Sequence, residues 1–176
     1  MELIGWMFKQ LYEKILLIGG AEPRVRYLRR KGIRIGENCN INTMNFSTEP
    51  YLIELGNHVV ITNGVKFVTH DGAASCFKEL EGEIFGRIKI GNNVFIGLDS
   101  IIMLNTTIDD NCVIGAGSVV RGHFAENSVI VGNPAKVILN RNIQGLLFRH
   151  NPGFVMSKNL SPSDQKKMVK QHFGIE

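Results

Sequence analysis

IGNNVFIGLDSIIMLNTTIDDNCVIGAGSVV, from Ile90 to Val120, returns an aliphatic side chain at every sixth position: Ile90, Ile96, Ile102, Ile108, Ile114 and Val120. Four residues after each comes a small or slender side chain, or at the end an aromatic: Val94, Ser100, Thr106, Cys112, Ser118 and Phe124. Gly or Asp directly follows most of the aliphatics, as in Ile90-Gly91, Ile96-Gly97, Ile108-Asp109 and Ile114-Gly115. A helix repeats at about 3.6 residues and a half-buried strand at 2. A strict six therefore describes short strands joined by tight corners, each strand sending one side chain into a narrow core, which is the pattern of a solenoid of the β-helix kind.

Working upstream, the same signal is present in broken form. It appears at Ile35-Gly36 with Cys39, then at Ile41, at Leu55-Gly56 with Val59, at Ile61 with Val65, and at Phe67. The phase slips twice. Ile41 to Leu55 is two residues longer than two repeats and spans Pro50; Phe67 to Ile90 is seventeen longer than one repeat, so a loop protrudes over 73–87. Three hexapeptides make one triangular coil, which makes the loop leave at a corner, directly after Thr69-His70-Asp71-Gly72. A long loop inside a compact repeat usually serves function. Downstream, the period dissolves into Val129 to Val137, a last strand pair. Beyond Asn140 the pattern suggests a loop and one weak helix, partly disordered.

The 176 residues suit one domain with extensions: an amphipathic helical cap over 1–32, the repeat domain over 33–139 and a basic tail over 140–176. Hydrophobic content of 44% with 20% charged residues excludes a disordered or membrane-spanning chain. The net charge of +4 is uneven: residues 1–34 carry eight Lys or Arg against three acids, and 136–176 seven against two. No basic stripe interleaved with aromatics accompanies them, so no nucleic-acid partner is expected. Leu3, Ile4, Met7, Phe8, Leu11, Tyr12, Ile15 and Leu16 are apolar at helical spacing, but Lys9, Glu13 and Lys14 interrupt a run too short to cross a bilayer. This predicts a helix ending at Gly19-Gly20 and a second basic segment from Pro23 to Lys31, packed on the open end or side of the solenoid. Trp6, Phe8 and the basic ends leave a peripheral membrane contact open. Cys39 and Cys112 fall on the small-residue site and Cys76 in the loop, so core thiols in a reducing, cytoplasmic setting are expected rather than disulfides. Open ends and flat faces predict self-association, and a triangular prism associates naturally about a threefold axis.

Ile88 to Gly97, Val113 to Val120 and Val131 to Ile138 resemble the hexapeptide-repeat acyltransferases, most of all the galactoside and maltose acetyltransferases and the O-acetyltransferases of capsule and exopolysaccharide synthesis. The resemblance runs from about Ile33 to Leu139. It implies a left-handed parallel β-helix; with the N-terminal helix and the short C-terminal extension read above beside it, the expected class is all-β. It also implies a homotrimer, acetyl-CoA as donor and an active site between neighbouring copies; its motifs are poor guides to the acceptor, for which a sugar or glycan hydroxyl is the expectation and an amine stays open.

Transfer from a thioester to a hydroxyl needs a base for the proton, and histidine suits neutral pH. His70 matches the family's catalytic histidine. Asp71, Glu54 and Glu49 are the carboxylates that could orient it, and Asp71 is its sequence neighbour. Asn42 and Asn45 lie where the galactoside enzymes place an acceptor-contacting asparagine, although for either one singly a turn-forming role is the more ordinary reading; Phe95 stands where related sugar enzymes carry an aromatic against substrate, and packing between copies explains it equally well. Donor contacts map to Leu98, Ala116, Arg121, Gly122 and Lys136, with Arg121 standing where the family often has a small hydroxyl residue. His58 and His123 are expected as surface residues, and His150 and His172 lie in the tail. A γ-class carbonic anhydrase shares the fold but needs converging histidines, and no His-four-spacer-His pair occurs, so no metal is expected. A drug-modifying acetyltransferase and a noncatalytic scaffold are the remaining alternatives.

Overall fold

The computed structural model describes residues 2–175; the side chains of residues 2–6, 8 and 9 fall outside that description, and with them Leu3, Ile4, Trp6 and Phe8. The chain divides into two units, Met1–Arg141 and Asn142–Glu176.

In the first unit Ile90 pairs in parallel with Ile108, Ile96 with Ile114, and Ile102 with Val120. Each step is 18 residues, three hexapeptides to a turn. The chain visits three sheets in rotation. One face is built from Arg34–Ile35, Ile53–Leu55, Ile88–Ile90, Thr106–Ile108 and His123–Phe124. The next holds Asn40–Ile41, Val60–Ile61, Phe95–Ile96, Val113–Ile114 and Ser128–Gly132, closed by the antiparallel Ala135–Asn140. The third holds Lys66–Phe67, Ile101–Ile102 and Val119–Val120. The two slips in the sequence reappear as pairing steps of 20, Arg34 to Glu54, and 35, Glu54 to Lys89. A third slip escaped the sequence. Phe124 pairs with Ile108, a step of 16, so it fills the inward aliphatic site of its coil and not the small site four residues after Val120.

The repeat's chemistry explains the coil. Ile41, Ile61, Ile96, Ile114 and Ile130 stack inward with no exposed surface, and burying each such side chain contributes about 1.5–3 kcal/mol. The second inward site sits close beneath a corner, where only slender groups fit and their polar atoms find carbonyls. The Ser100 hydroxyl donates to Gly97 O at 2.8 Å, Ser118 Oγ to Gly115 O at 2.7 Å, and Thr106 Oγ1 to Val120 O at 3.2 Å. The corner between the first two faces turns through the left-handed region at Asn38, His58, Asn93, Asn111 and Asn127, with φ between 54° and 62°. Asparagine tolerates that conformation best among residues with a side chain. At Gly56 a Cβ would fall 2.7 Å from the Gly91 carbonyl of the next coil, so a glycine is required where corners stack.

Helices α1 (Glu2–Ile18) and α2 (Ala21–Arg30) cap the first coil. Val25 and Leu28 join the core, and Arg24, only 2% exposed, fastens the cap. Its guanidinium donates to Leu16 O, Leu17 O and Gly20 O at the end of α1, and to Ile41 O and Asn42 Oδ1 on the coil. The second unit holds most of α3 (Arg141–Arg149) and all of α4 (Pro162–His172), whose N-terminus is capped by Ser161 accepting from Asp164 N. The tail thus forms two helices in place of the expected loop and single weak helix. With four α-helices among the described residues the class is mostly β, which corrects the all-β expectation.

Candidate active site

The first coil's extra residues decide what stands beside His70. Asn45 bridges to Lys66, and its carbonyl accepts from Phe67 N at 2.9 Å. The same offset of 21 carries Glu49 to His70. Between them Thr69 N donates to Ser47 Oγ at 3.4 Å, and the short helix Pro50–Leu52 then turns the chain away. His70–Asp71 pairs antiparallel with Ile84–Phe85, and Gly86 N returns to Thr69 O at 2.8 Å, so the protruding loop is pinned at its base. Its Phe85 ring lies 6.0 Å from the imidazole.

Glu49 Oε2 lies 2.9 Å from His70 Nδ1 and accepts the Thr69 hydroxyl at 2.7 Å. The Glu49 side chain is 15% exposed and that of His70 35%. Hydrogen bonding from Thr48, then from Thr69 and His70, outweighs burial and holds the Glu49 carboxyl down at about 2. An ionised Glu49 accepts from Nδ1–H, which leaves the Nε2 lone pair as the basic nitrogen. The arrangement can take a proton from a hydroxyl and stabilise the imidazolium that forms.

Sequence adjacency misleads at Asp71. Its carboxylate accepts from Ala73 N at 2.9 Å and caps the turn Gly72–Cys76, so the group beside His70 is Glu49. Glu54 is paired with Arg34 at 2.6 Å on the outside of the first face. Asn42 Oδ1 accepts from Arg24 Nη1 at 2.7 Å and so belongs to the cap's fastening. Asn45 is exposed on the stretch that leads to Glu49. Phe95 lies exposed on the second face between Val60 and Val113. Leu98 and Ala116, one coil apart, stack at the corner between the second and third faces, where Gly117 N donates to Leu98 O at 2.7 Å. Arg121 and Gly122 follow the third face, on the same edge as His70 but coils away; Lys136 is exposed on the closing strand of the second face. The structure therefore joins His70 to Glu49, and it puts Leu98 and Ala116 on a different edge of the prism.

His58 serves a left-handed corner, and His123 Nε2 pairs with Asp109 at 2.8 Å in the open. His150 and His172 bond to Leu146 O and Pro152 O. Cys39, Cys76 and Cys112 are free, and burial pushes the Cys39 and Cys112 thiols up. Among the described residues no three His, Cys, Asp or Glu side chains converge as metal ligands.

Residues 87–121 match the hexapeptide repeat of succinyl-transferase. The chain is 47% identical over 135 residues to Protein CapG of Staphylococcus aureus, covering 74% of this chain and 77% of that protein. It is 31% identical over 137 residues to galactoside O-acetyltransferase of Escherichia coli K12, covering 77% and 68%. Among solved structures it is similar to a maltose O-acetyltransferase from Clostridium difficile 630, with a TM-score of 0.52, 36% identity and coverage of 62% and 59%. A hexapeptide-repeat acetyltransferase from Vibrio cholerae, solved with acetyl coenzyme A, aligns with a TM-score of 0.53, 29% identity and coverage of 62% and 61%. This chain thus spans about six tenths of each solved chain.

Proposed function

From the premise that this chain belongs to the hexapeptide-repeat acetyltransferase family, we infer that it moves an acetyl group from acetyl-CoA to a hydroxyl of a sugar or glycan, in cell-surface polysaccharide synthesis. The observation that carries the reading is the His70–Glu49 pair at the root of the protruding loop. His70 Nε2 removes the acceptor hydroxyl's proton as its oxygen attacks the thioester carbon; Glu49 holds the ring and balances the imidazolium; the proton then passes to the departing thiolate. The sugar acceptor is supported by likeness to the galactoside and maltose enzymes, and the polysaccharide setting by the motifs that resemble those of capsular O-acetyltransferases.

The site is completed by a second copy in a homotrimer of left-handed coils. Two observations support this. His70 and the donor residues Leu98 and Ala116 occupy different edges of one prism, and two prisms side by side bring such edges together. The loop also leaves Phe77, Leu80, Ile84 and Phe85 exposed, apolar side chains that a neighbour would cover. Arg121, Gly122 and Lys136 complete the donor groove, with Lys136 opposite the nucleotide phosphates as a point charge. Asn45 and Phe95 remain acceptor contacts in this reading. Acetyl-CoA and free thiols suit the cytoplasm, and no described helix is long and apolar enough to cross a membrane.

The test is to incubate the purified chain and its His70→Ala variant with labelled acetyl-CoA and a panel of sugars, sugar nucleotides, oligosaccharides and aminoglycosides. Transfer to a carbohydrate hydroxyl, lost in the variant with donor affinity kept, is expected. Transfer to the drug panel alone would replace the acceptor assignment, and donor binding without turnover on any hydroxyl would overturn the mechanism.

A further inference from the structure

We propose that the outward face of α1, together with the neighbouring arginines of α2, docks on an anionic lipid bilayer. This surface is independent of acetyl transfer. α1 turns Leu16 inward, while Met7, Leu11, Ile15 and Ile18 follow one another at helical spacing along the opposite side. They are 59%, 56%, 55% and 87% exposed, a continuous apolar stripe where a helix on a water-facing surface carries polar groups.

Basic side chains border the stripe on both sides. Lys14 is exposed along one edge. Along the other, Tyr12 leads to Arg26 and Arg30, which line a concavity of about 280 Å³ with Pro23 and Tyr27. The remaining arginines of α2 are committed: Arg24 to the carbonyls it fastens, Arg29 to Ile35 O, Gly36 O and Glu37. Among the described residues Arg26 and Arg30 form no ion pair, Glu22 one turn before Arg26 included. Two like charges four residues apart on a helix repel, and an oxyanion seated between them relieves that repulsion.

The combination selects the occupant. A second copy meeting this patch through its own would set arginine against arginine. A bilayer containing anionic lipid supplies both halves at once, hydrocarbon for the stripe and headgroup phosphates for the rim.

The experiment is flotation of the full chain with vesicles of phosphatidylcholine containing about one third phosphatidylglycerol, against phosphatidylcholine alone, with oligomer mass followed by light scattering. Flotation with the anionic vesicles only is expected. Arg26→Gln with Arg30→Gln should weaken partition by about 25-fold, about fivefold for each charge removed at such a surface. Leu11→Ser with Ile15→Ser should abolish it, with oligomer mass and acetyl-CoA binding unchanged. Should the serine variant not fold, the arginine variant alone decides. No flotation, equal flotation with neutral vesicles, or a change of oligomer mass in the serine variant would overturn the proposal, the last by marking the stripe as a contact between copies.

Discussion

Glu49→Gln keeps the size of the side chain beside His70 and removes its charge. Two unit charges 2.9 Å apart attract by about 6 kcal/mol at an effective dielectric of about 20. The imidazole is partly open to solvent, and only part of its charge has developed at the transition state, so about a third of that attraction is at stake. A loss of ~2 kcal/mol corresponds to a fall of roughly 30-fold in kcat. The amide also has two faces: its oxygen preserves the Nδ1–H tautomer, while its NH₂ group donates to Nδ1 and puts the proton on the wrong nitrogen. Steady-state kinetics with saturating acceptor should therefore show kcat reduced by at least that factor, with KM for acetyl-CoA unchanged. A companion Asp71→Asn variant should retain most activity, because its contact is with Ala73 N. Should Glu49→Gln turn over within twofold of the parent, the carboxylate would be only a partner for the Thr69 hydroxyl, and the orienting role would be wrong.

Replacing Arg24 by Met strands the buried carbonyls of Ile41 and Leu16 and the part-buried one of Leu17, and should destabilise the first unit by roughly 3–5 kcal/mol, seen as an earlier urea midpoint. In the folded chain Glu49 titrates at about 2, below its ordinary 4.5, so the unfolded state takes up the proton first as pH falls. Its contribution is full above about 4.5 and drains away towards 2; acid titration of stability should show this loss in the parent and a shallower one in Glu49→Gln. His58→Asn puts the residue that four other coils use at the left-handed corner, and should raise stability by roughly 0.5 kcal/mol with activity unchanged. A lower urea midpoint for His58→Asn would show that the ring does more at that corner than tolerate it.

The coil was legible because its determinant is local and repeated: one inward aliphatic per strand, one slender residue under each corner, and a strict six between them. The slips at Pro50 and after Phe67 were legible for the same reason, since an interrupted period can be counted. Phe124 was misplaced because an aromatic four residues after Val120 fits the arithmetic, whereas its large ring requires the wider aliphatic site. The histidine at the loop's root could be singled out from its corner, but its partner could not be settled. Glu49 stands 21 positions away and reaches His70 only through the enlarged offset of the first coil, while Asp71 is adjacent yet faces the turn. The counted slip gives a step of 20, which sets Pro50 opposite His70, whereas the bridge from Asn45 to Lys66 runs at 21, so counting alone does not reach Glu49. Asn42 and Arg24 show the opposite limit: nothing local in a basic amphipathic helix tells which of its arginines will be buried among carbonyls.

Subunit complementation decides whether the site is shared between copies. His70→Ala disables the basic edge, and Ala116→Trp fills the exposed corner assigned to the donor without entering the core. Each variant alone should be inactive. Assembled together in equal amounts, about one interface in four pairs an intact histidine edge with an intact donor edge, so about a quarter of the parent activity should return. Mixed assemblies as inactive as either variant would mean that each copy works alone, and would contradict an acetyltransferase site built across neighbouring coils.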